Sequence, residues 1–355
     1  MAQKKNIAVA ILNWNGAHFL SKFLPSVIQH SPLADVIVID NNSTDQSIAV
    51  LSSDFPDVQV IQLDKNYGFA EGYNLGLKNL DYEYFVLLNS DVEVPANWLE
   101  PQLEFLQSDH DLVACAPLIL DYANKHNFEY AGAAGGYLDQ DAFAFCAGRI
   151  FYAFEENKDQ FNTNREVFWA SGAALMIKSW AWKEVEGFDG SFFAHMEEID
   201  LCWRLKNRGY KIGVCGKAEI YHVGGGTLDR QSAFKTYLNF RNNLFLIVKN
   251  YRGNSLFLFT LKRMCLDGIA GVRFMLEGNF NYLFAVLKAH FHFYGKMGYY
   301  LKLRKSEKKQ WKKANLFGLY QGSILLAFFF MHKHKFSQLD QNLFFGQIPE
   351  NEKTN

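Results

Sequence analysis

Four short polar stretches carry the side chains most able to do chemistry: Asn13-Trp14-Asn15, the run from Asp40 to Asp45, Asn66-Tyr67-Gly68, and Asn89-Ser90-Asp91. Each follows a short apolar run. Amides, hydroxyls and carboxylates gathered at the ends of buried strands form a polar rim suited to the base, ribose and phosphates of a nucleotide. One such loop alone is as well explained as a helix cap, because Asp40, Asn41, Asn42 and Ser43 are all good N-caps. Four in register along a parallel sheet point instead to a nucleotide site. Two phosphate-cradling alternatives are excluded, since the segment after Leu12 lacks the repeated glycines of a dinucleotide fingerprint and no Walker loop is present. Further along, Glu197, Glu198 and Asp200 sit in the first turn of a predicted helix, where acids suit the macrodipole whatever else they do. His222 precedes a glycine run.

The elements that must position these residues follow from periodicity. Continuous apolar runs at 7–12, 36–39, 58–63 and 84–88 predict buried strands, and helical spacing predicts helices at 18–30, 46–52 and 68–80. Strand and helix alternate, so the expected fold is α/β, a doubly wound, mainly parallel sheet with its ligand crevice at the strand C-termini. After Pro95 the pattern loosens. Residues 121–165 contain a glycine and aromatic cluster from Tyr130 to Tyr137, and so long an irregular segment suggests a lid or an acceptor-binding surface. A small-residue strand at 169–177 and a helix at 198–208 follow. The expected organisation is a catalytic domain at 1–229, divided into a nucleotide-binding half (1–95) and an acceptor and catalytic half (96–229), then a basic, aromatic-rich helical region at 230–355.

The motifs resemble family 2 glycosyltransferases of the GT-A fold, and most of all the rhamnosyltransferase-like branch that builds bacterial surface polysaccharides. The likeness runs through Asp40-Asn41-Asn42-Ser43-Thr44-Asp45, Asn66 to Gly76, Asn89-Ser90-Asp91, Ser171-Gly172-Ala173, Gly187-Phe188-Asp189, Phe193 to Arg204 and Tyr221 to Thr227. It implies inverting transfer of a sugar from a nucleoside diphosphate donor, such as dTDP-rhamnose or a UDP-sugar, to a glycan or lipid-linked acceptor. The departing diphosphate would be neutralised by a divalent cation, Mg²⁺ or Mn²⁺, bound together with the donor. Where the family has an Asp-Xaa-Asp-type motif this chain has Asn89-Ser90-Asp91, so Asp91 alone remains to ligate the metal, with His222 as a second ligand or a structural residue. The family's general base is the second acid of a Glu-Asp pair, a position that Glu198 fills here with Glu197 as the weaker candidate. Asp200 is expected to orient Arg204 at i+4. Asn13, Trp14, Asn15, Asp40, Asn41, Asn66, Gly68, Asn89 and Ser90 are the expected donor-binding residues. Glu129, Arg149 and the loop 130–137 fall to the acceptor side. The reduced motif and the Glu-for-Asp exchange also motivate a rival reading, a catalytically idle nucleotide-sugar binding or scaffold protein of the same fold.

The near-neutral net charge is a cancellation. Residues 1–229 carry 16 basic and 31 acidic side chains, and residues 230–355 carry 20 and 6. Seven of the basic residues fall within 302–313, beside an apolar stretch at 316–331 too short and too interrupted to span a bilayer. That pairing predicts a helix lying on the anionic inner leaflet of a membrane, against the plainer alternative of a segment packed on the catalytic domain. Nucleic acid is not an expected partner, because no recognition motif accompanies the charge. Five widely spaced cysteines predict reduced, buried thiols. The N-terminal apolar run is too short for a secretory signal, so the expected location is cytoplasmic, peripheral on the inner membrane face.

Overall fold

A computed structural model describes residues 5–130, 132–224 and 232–346. The N-terminal half alternates as its apolar runs require: β1 (Ile7–Asn13), α1 (Ala17–His30), β2 (Ala34–Asp40), α2 (Ser47–Asp54), β3 (Gln59–Gln62), α3 (Gly68–Leu77) and β4 (Tyr84–Asn89). These four strands are parallel to their neighbours in the order β4-β1-β2-β3. Side chains alternate across the sheet. Ile7, Val9 and Ile11 join the core under α1 and α2, while Ala8 and Ala10 join the core under α3. Both faces are thus covered, which is why β1 and β4 read as unbroken apolar runs. Each such Val, Leu or Ile contributes about 1.5–3 kcal/mol by leaving water.

The sheet continues through β5 (Val92–Glu93), β6 (Leu112–Asp121), β11 (Arg165–Val167), β12 (Ala174–Lys178) and β13 (Lys211–His222), giving the order β11-β13-β6-β12-β4-β1-β2-β3 with β5 on β13. β12 runs antiparallel to both β4 and β6, so this half of the sheet is mixed. The small residues of 169–177 form a strand only from Ala174. Three further helices pack here: α4 (Glu100–Gln107), α5 (Ser179–Glu184) and α6 (Glu197–Asn207).

The irregular segment holds a second small sheet, β10-β9-β8-β7-β14, built from β7 (Gly136–Asp139), β8 (Ala144–Cys146), β9 (Arg149–Ile150), β10 (Ala153–Phe154) and the remote β14 (Leu319–Tyr320). α7 (Ala233–Asn250), α8 (Leu256–Leu276) and α9 (Phe280–Glu307) make up the helical part of the basic third. The boundary expected at 229/230 lies outside the described residues, as do Ala131 of the 130–137 loop and Gly225, Gly226 and Thr227 of the glycine run. On either side of that boundary one hydrophobic core is continuous, containing Leu244–Val248 of α7, Phe293 and Tyr300 of α9, and Tyr320, Phe328, Phe336 and Phe344.

The stretch 316–331 differs from the surface helix expected of it. It forms β14 beside β7 and then a single wide turn at Leu326–Phe330, with Tyr320, Ile324, Ala327 and Phe328 buried. Gly318 explains the break, because its φ is +83° and an added Cβ would lie 2.4 Å from the Phe168 nitrogen. The neighbouring basic residues belong to the last turns of α9, a 3-10 turn at Lys308–Gln310 and the chain beyond it.

Candidate active site

Donor-side residues meet at the C-terminal ends of β1, β2 and β4. Asn13 Nδ2 donates to Asp40 Oδ1 at 3.0 Å and to Ser43 Oγ at 3.1 Å. Asp40 also accepts from the Ser43 backbone at 2.9 Å, so this carboxylate closes its own loop as a cap does. Asn15 binds the same loop, its side-chain oxygen accepting from the Thr44 nitrogen at 2.7 Å. Asn41 ties the next loop in: its Nδ2 donates to Asn66 Oδ1 at 3.1 Å and to the Gly68 carbonyl at 2.9 Å, and its Oδ1 accepts from the Tyr67 nitrogen. Ser90 Oγ stands 3.5 Å from where a Cβ on Gly16 would lie, which brings the β4 loop against the β1 loop. Trp14 is 41% exposed. Asn13 Oδ1 is buried and, among the described residues, has no hydrogen-bond partner.

Asp91 and His222 face each other because β5 pairs antiparallel with β13, setting His222 opposite Val92. His222 Nε2 lies 3.1 Å from Asp91 Oδ1 and 3.3 Å from Asn89 Nδ2, while Nδ1 lies 3.1 Å from Glu129 Oε2. Burial opposes protonation of His222, but Asp91 and Glu129 outweigh it and raise its pKa to about 10. The same contact carries Asp91 below the ordinary carboxylate range, against the upward pull of its burial. Glu129, expected on the acceptor side, thus stands behind the histidine. A carboxylate there holds the imidazole by Nδ1–H, and a metal at Nε2 would take the place of the proton that Asp91 accepts. The donor set fits a hard divalent cation between Asp91 and His222 Nε2, although among the described residues no group of three or more such ligands gathers. Diphosphate and water would have to complete the shell.

Glu197 and Glu198 open α6 after an unusual turn. Phe193, His195 and Met196 all have left-handed φ, at 67°, 68° and 72°. Such strain persists only where its surroundings over-determine it. Here α7 does so: Asn242 Nδ2 donates to the carbonyls of Phe192, Ala194 and His195 at 3.1, 2.9 and 2.7 Å, and Arg241 donates to Phe192 at 2.9 Å. The Phe193 carbonyl in turn accepts from the Phe69 nitrogen at the start of α3, at 2.7 Å. Glu197 is buried and Glu198 half-buried, each with a carboxylate oxygen that lacks a hydrogen bond among the described residues. Burial raises the Glu198 pKa to about 7, resisted by backbone N–H groups of the first helical turn. Burial and the neighbouring Glu198 push Glu197 well above the carboxylate range. Asp200 is the opposite case: although fully buried, it is held ionised by Lys249 and Arg204, with Arg204 Nε at 2.7 Å as the i+4 spacing implied.

The two clusters adjoin. The Asn89 nitrogen donates to the Ala173 carbonyl at 3.0 Å, and a Cβ on the preceding Gly172 would lie 3.5 Å from the Glu198 Cβ. Arg149 lies nearby, its guanidinium 4.2 Å from the Tyr130 ring centre and its charge within reach of Glu129. Sequence reasoning missed Asn242, Lys249 and Asn250. Their signal was present, as amides and a lysine interrupting an apolar helix at Asn242, Asn243, Lys249 and Asn250, all of them buried.

Comparison with known proteins bears on the family and the fold. Residues 8–183 match the model of glycosyl transferase family 2. A low-salt glycan biosynthesis hexosyltransferase of Haloferax volcanii is 23% identical over 285 residues, covering 78% of this chain and 87% of that protein. An N-acetylglucosaminyl-diphospho-decaprenol L-rhamnosyltransferase of Mycobacterium tuberculosis is 22% identical, covering 69% of this chain and 84% of that one. The rhamnosyltransferase WbbL of Escherichia coli is 24% identical over 41% of this chain and 57% of its own length. Among solved structures, GalNAc-T7 with UDP, GalNAc and Mn²⁺ superposes with a TM-score of 0.54 at 16% identity, over 70% of this chain and 48% of that one. That likeness supports the GT-A fold. By the family match, residues 8–183 belong to glycosyl transferase family 2.

Proposed function

We propose that the protein is an inverting glycosyltransferase that moves a sugar from a nucleoside diphosphate donor, dTDP-rhamnose or a UDP-sugar, to a glycan or lipid-linked acceptor in cell-surface polysaccharide synthesis. It would work in the cytoplasm at the inner face of the membrane. The observation that carries this reading is Glu198, a half-buried carboxylate whose pKa burial lifts to about 7, packed at Gly172, whose neighbour Ala173 bonds Asn89 of the loop that holds Asp91. A general base is most effective when its pKa lies near the working pH. Glu198 takes the acceptor hydroxyl's proton as that oxygen attacks the anomeric carbon. Glu197, kept protonated by burial and by its neighbour, adds no second negative charge beside it. One base with no covalent nucleophile corresponds to single displacement. Asn13, Asn15, Asp40, Asn41, Asn66, Gly68, Asn89 and Ser90 would line the donor cleft, with Trp14 at its rim. A bound divalent cation would supply charge neutralisation for the leaving diphosphate, and Asp91 and His222 would hold it. The similarity to mycobacterial and Escherichia coli rhamnosyltransferases favours a rhamnosyl donor.

A thermal-shift screen of UDP-, GDP- and dTDP-sugars with Mn²⁺ tests the donor assignment. Bound donor stabilises by mass action, about 2.7 kcal/mol at a hundredfold excess over Kd. A shift with dTDP- or UDP-sugars that disappears without Mn²⁺ is the expected result. No shift with any donor contradicts the cleft assignment. A shift without detectable donor turnover would favour the idle binding protein.

A further inference from the structure

α8 turns its apolar side outward. At about 100° per residue, the exposed Phe257, Leu261, Ile269, Val272 and Leu276 fall within one arc of roughly 120°. Lys262 and Arg273 border that arc, and the buried face opposite carries Thr260, Arg263, Asp267 and Gly271. Leu276, at the turn into α9, is 80% exposed. α9 continues the pattern, with Phe280, Phe284, Leu287 and Phe291 at i, i+4, i+7 and i+11, all exposed, and Lys288, Lys296, Lys302 and Lys305 exposed along the same helix. A surface this apolar on two successive helices marks a docking face.

The charge decides the occupant. Residues 256–313 hold 12 Lys and Arg and only three acids, Asp267, Glu277 and Glu307. Each acid is already engaged, by Arg263 at 2.8 Å, Arg273 at 2.7 Å and Arg208 at 3.1 Å respectively. A second copy docked face to face would set these lysines against their own kind. An anionic surface would meet them with opposite charge. Among the described residues no helix is long and apolar enough to cross a membrane, so the hairpin would lie on one. It is also firmly joined to the chemistry: the Tyr300 ring of α9 stacks 3.8 Å from Phe245 of α7, the helix whose Asn242 holds the turn before Glu198.

We infer that the α8–α9 hairpin is the surface by which this protein docks on an anionic lipid bilayer, its apolar arcs in the acyl boundary and its lysines among the headgroups. The role of this contact, to bring the cleft to a lipid-linked acceptor, rests on the function proposed above; vesicle binding does not, and it is measured without turnover.

The test uses the full chain. Cys265 lies in the outward arc of α8 and is exposed, whereas the other four cysteines are buried, so it takes an environment-sensitive fluorophore selectively. Vesicles of phosphatidylglycerol and phosphatidylcholine should shift its emission to the blue and sediment the protein, and pure phosphatidylcholine should do so far less. The triple variant Leu276→Ser, Phe280→Ser, Phe284→Ser should bind about tenfold more weakly or worse, with an unchanged unfolding midpoint. Lys302→Glu with Lys305→Glu, which share the arc of Phe280 and Phe284, should weaken binding by about tenfold at low salt. No emission shift and no sedimentation with anionic vesicles would overturn the inference. So would equal binding by the triple variant, or a concentration-dependent dimer that the triple variant abolishes while vesicles bind neither form.

Discussion

The two halves of the site are held in different ways. On the donor side, loops at the ends of β1, β2 and β4 fasten one another with short-range side-chain bonds: Asn13 to Asp40 and Ser43, Asn15 to Thr44, and Asn41 to Asn66 and Gly68. On the catalytic side, three left-handed residues before α6 are pinned by a helix of the basic third, through Asn242. The proposed donor cleft is therefore a property of the sheet. The position of Glu198 depends on chain that follows the family motifs. A lesion in α7 should damage chemistry while sparing donor binding, and a lesion in the strand-end loops should do the reverse.

The largest effect expected lies where the halves meet. Asp91→Ala removes the proposed metal ligand, and losing several kcal/mol of charge stabilisation corresponds to a fall of about a thousandfold in kcat/KM. The Mn²⁺-dependent part of the donor thermal shift should vanish with it. A variant that keeps both would exclude Asp91 as a ligand. Asn242→Ala comes next. It strips the Ala194 and His195 carbonyls of a buried donor, while the Phe192 carbonyl keeps Arg241, and leaving such groups unsatisfied costs about 1–3 kcal/mol. A lower melting temperature and a kcat loss of about tenfold or more, with donor Kd nearly unchanged, would sharpen the contrast between the halves. An equal loss of donor affinity would break it. Asn41→Ala should show the converse: weaker donor binding, by about 1 kcal/mol for lost loop contacts, and little change in kcat at saturating donor.

The smallest effect concerns Glu197 and has a defined sign. Its folded pKa is raised by burial and by Glu198 above the unfolded value. Its contribution to stability is therefore fully present below the unfolded pKa and is lost as pH rises toward the folded one. Glu197→Gln removes that titration. The melting temperature of the variant relative to the parent should be lowest near pH 4 and climb as the buffer becomes alkaline. A difference independent of pH would mean that Glu197 is ionised at little cost.

The same contrast explains what was legible in the sequence. Parallel strands buried on both faces announce themselves as apolar runs, so β1, β2 and β4 and the polar residues at their ends could be placed before the structure. The second small sheet could not. Its strands β8–β10 are two or three residues long, and β7 finds a partner in β14, which follows it by about 180 residues. No local period encodes such a pairing. The 316–331 stretch departs from a surface helix for a related reason: its aromatic residues look like a membrane-seeking helix, yet glycines break the helix and Tyr320 packs on Phe145 and Phe344 instead. Asp91 and His222 were legible as separate motifs. Glu129 behind His222 was not, because its partner lies 93 positions away.

Glu198 carries the central claim, and its direct measurement is sugar transfer by Glu198→Gln beside the parent, with donor Kd measured on both and pH varied. The amide keeps the shape of the side chain and cannot accept the proton. The account predicts a kcat at least about a hundredfold lower with donor Kd within about twofold. It also predicts a parental rate that rises with pH through a midpoint near 7. Transfer by the variant at the parental rate, or a parental rate that falls as pH rises through that range, would contradict it.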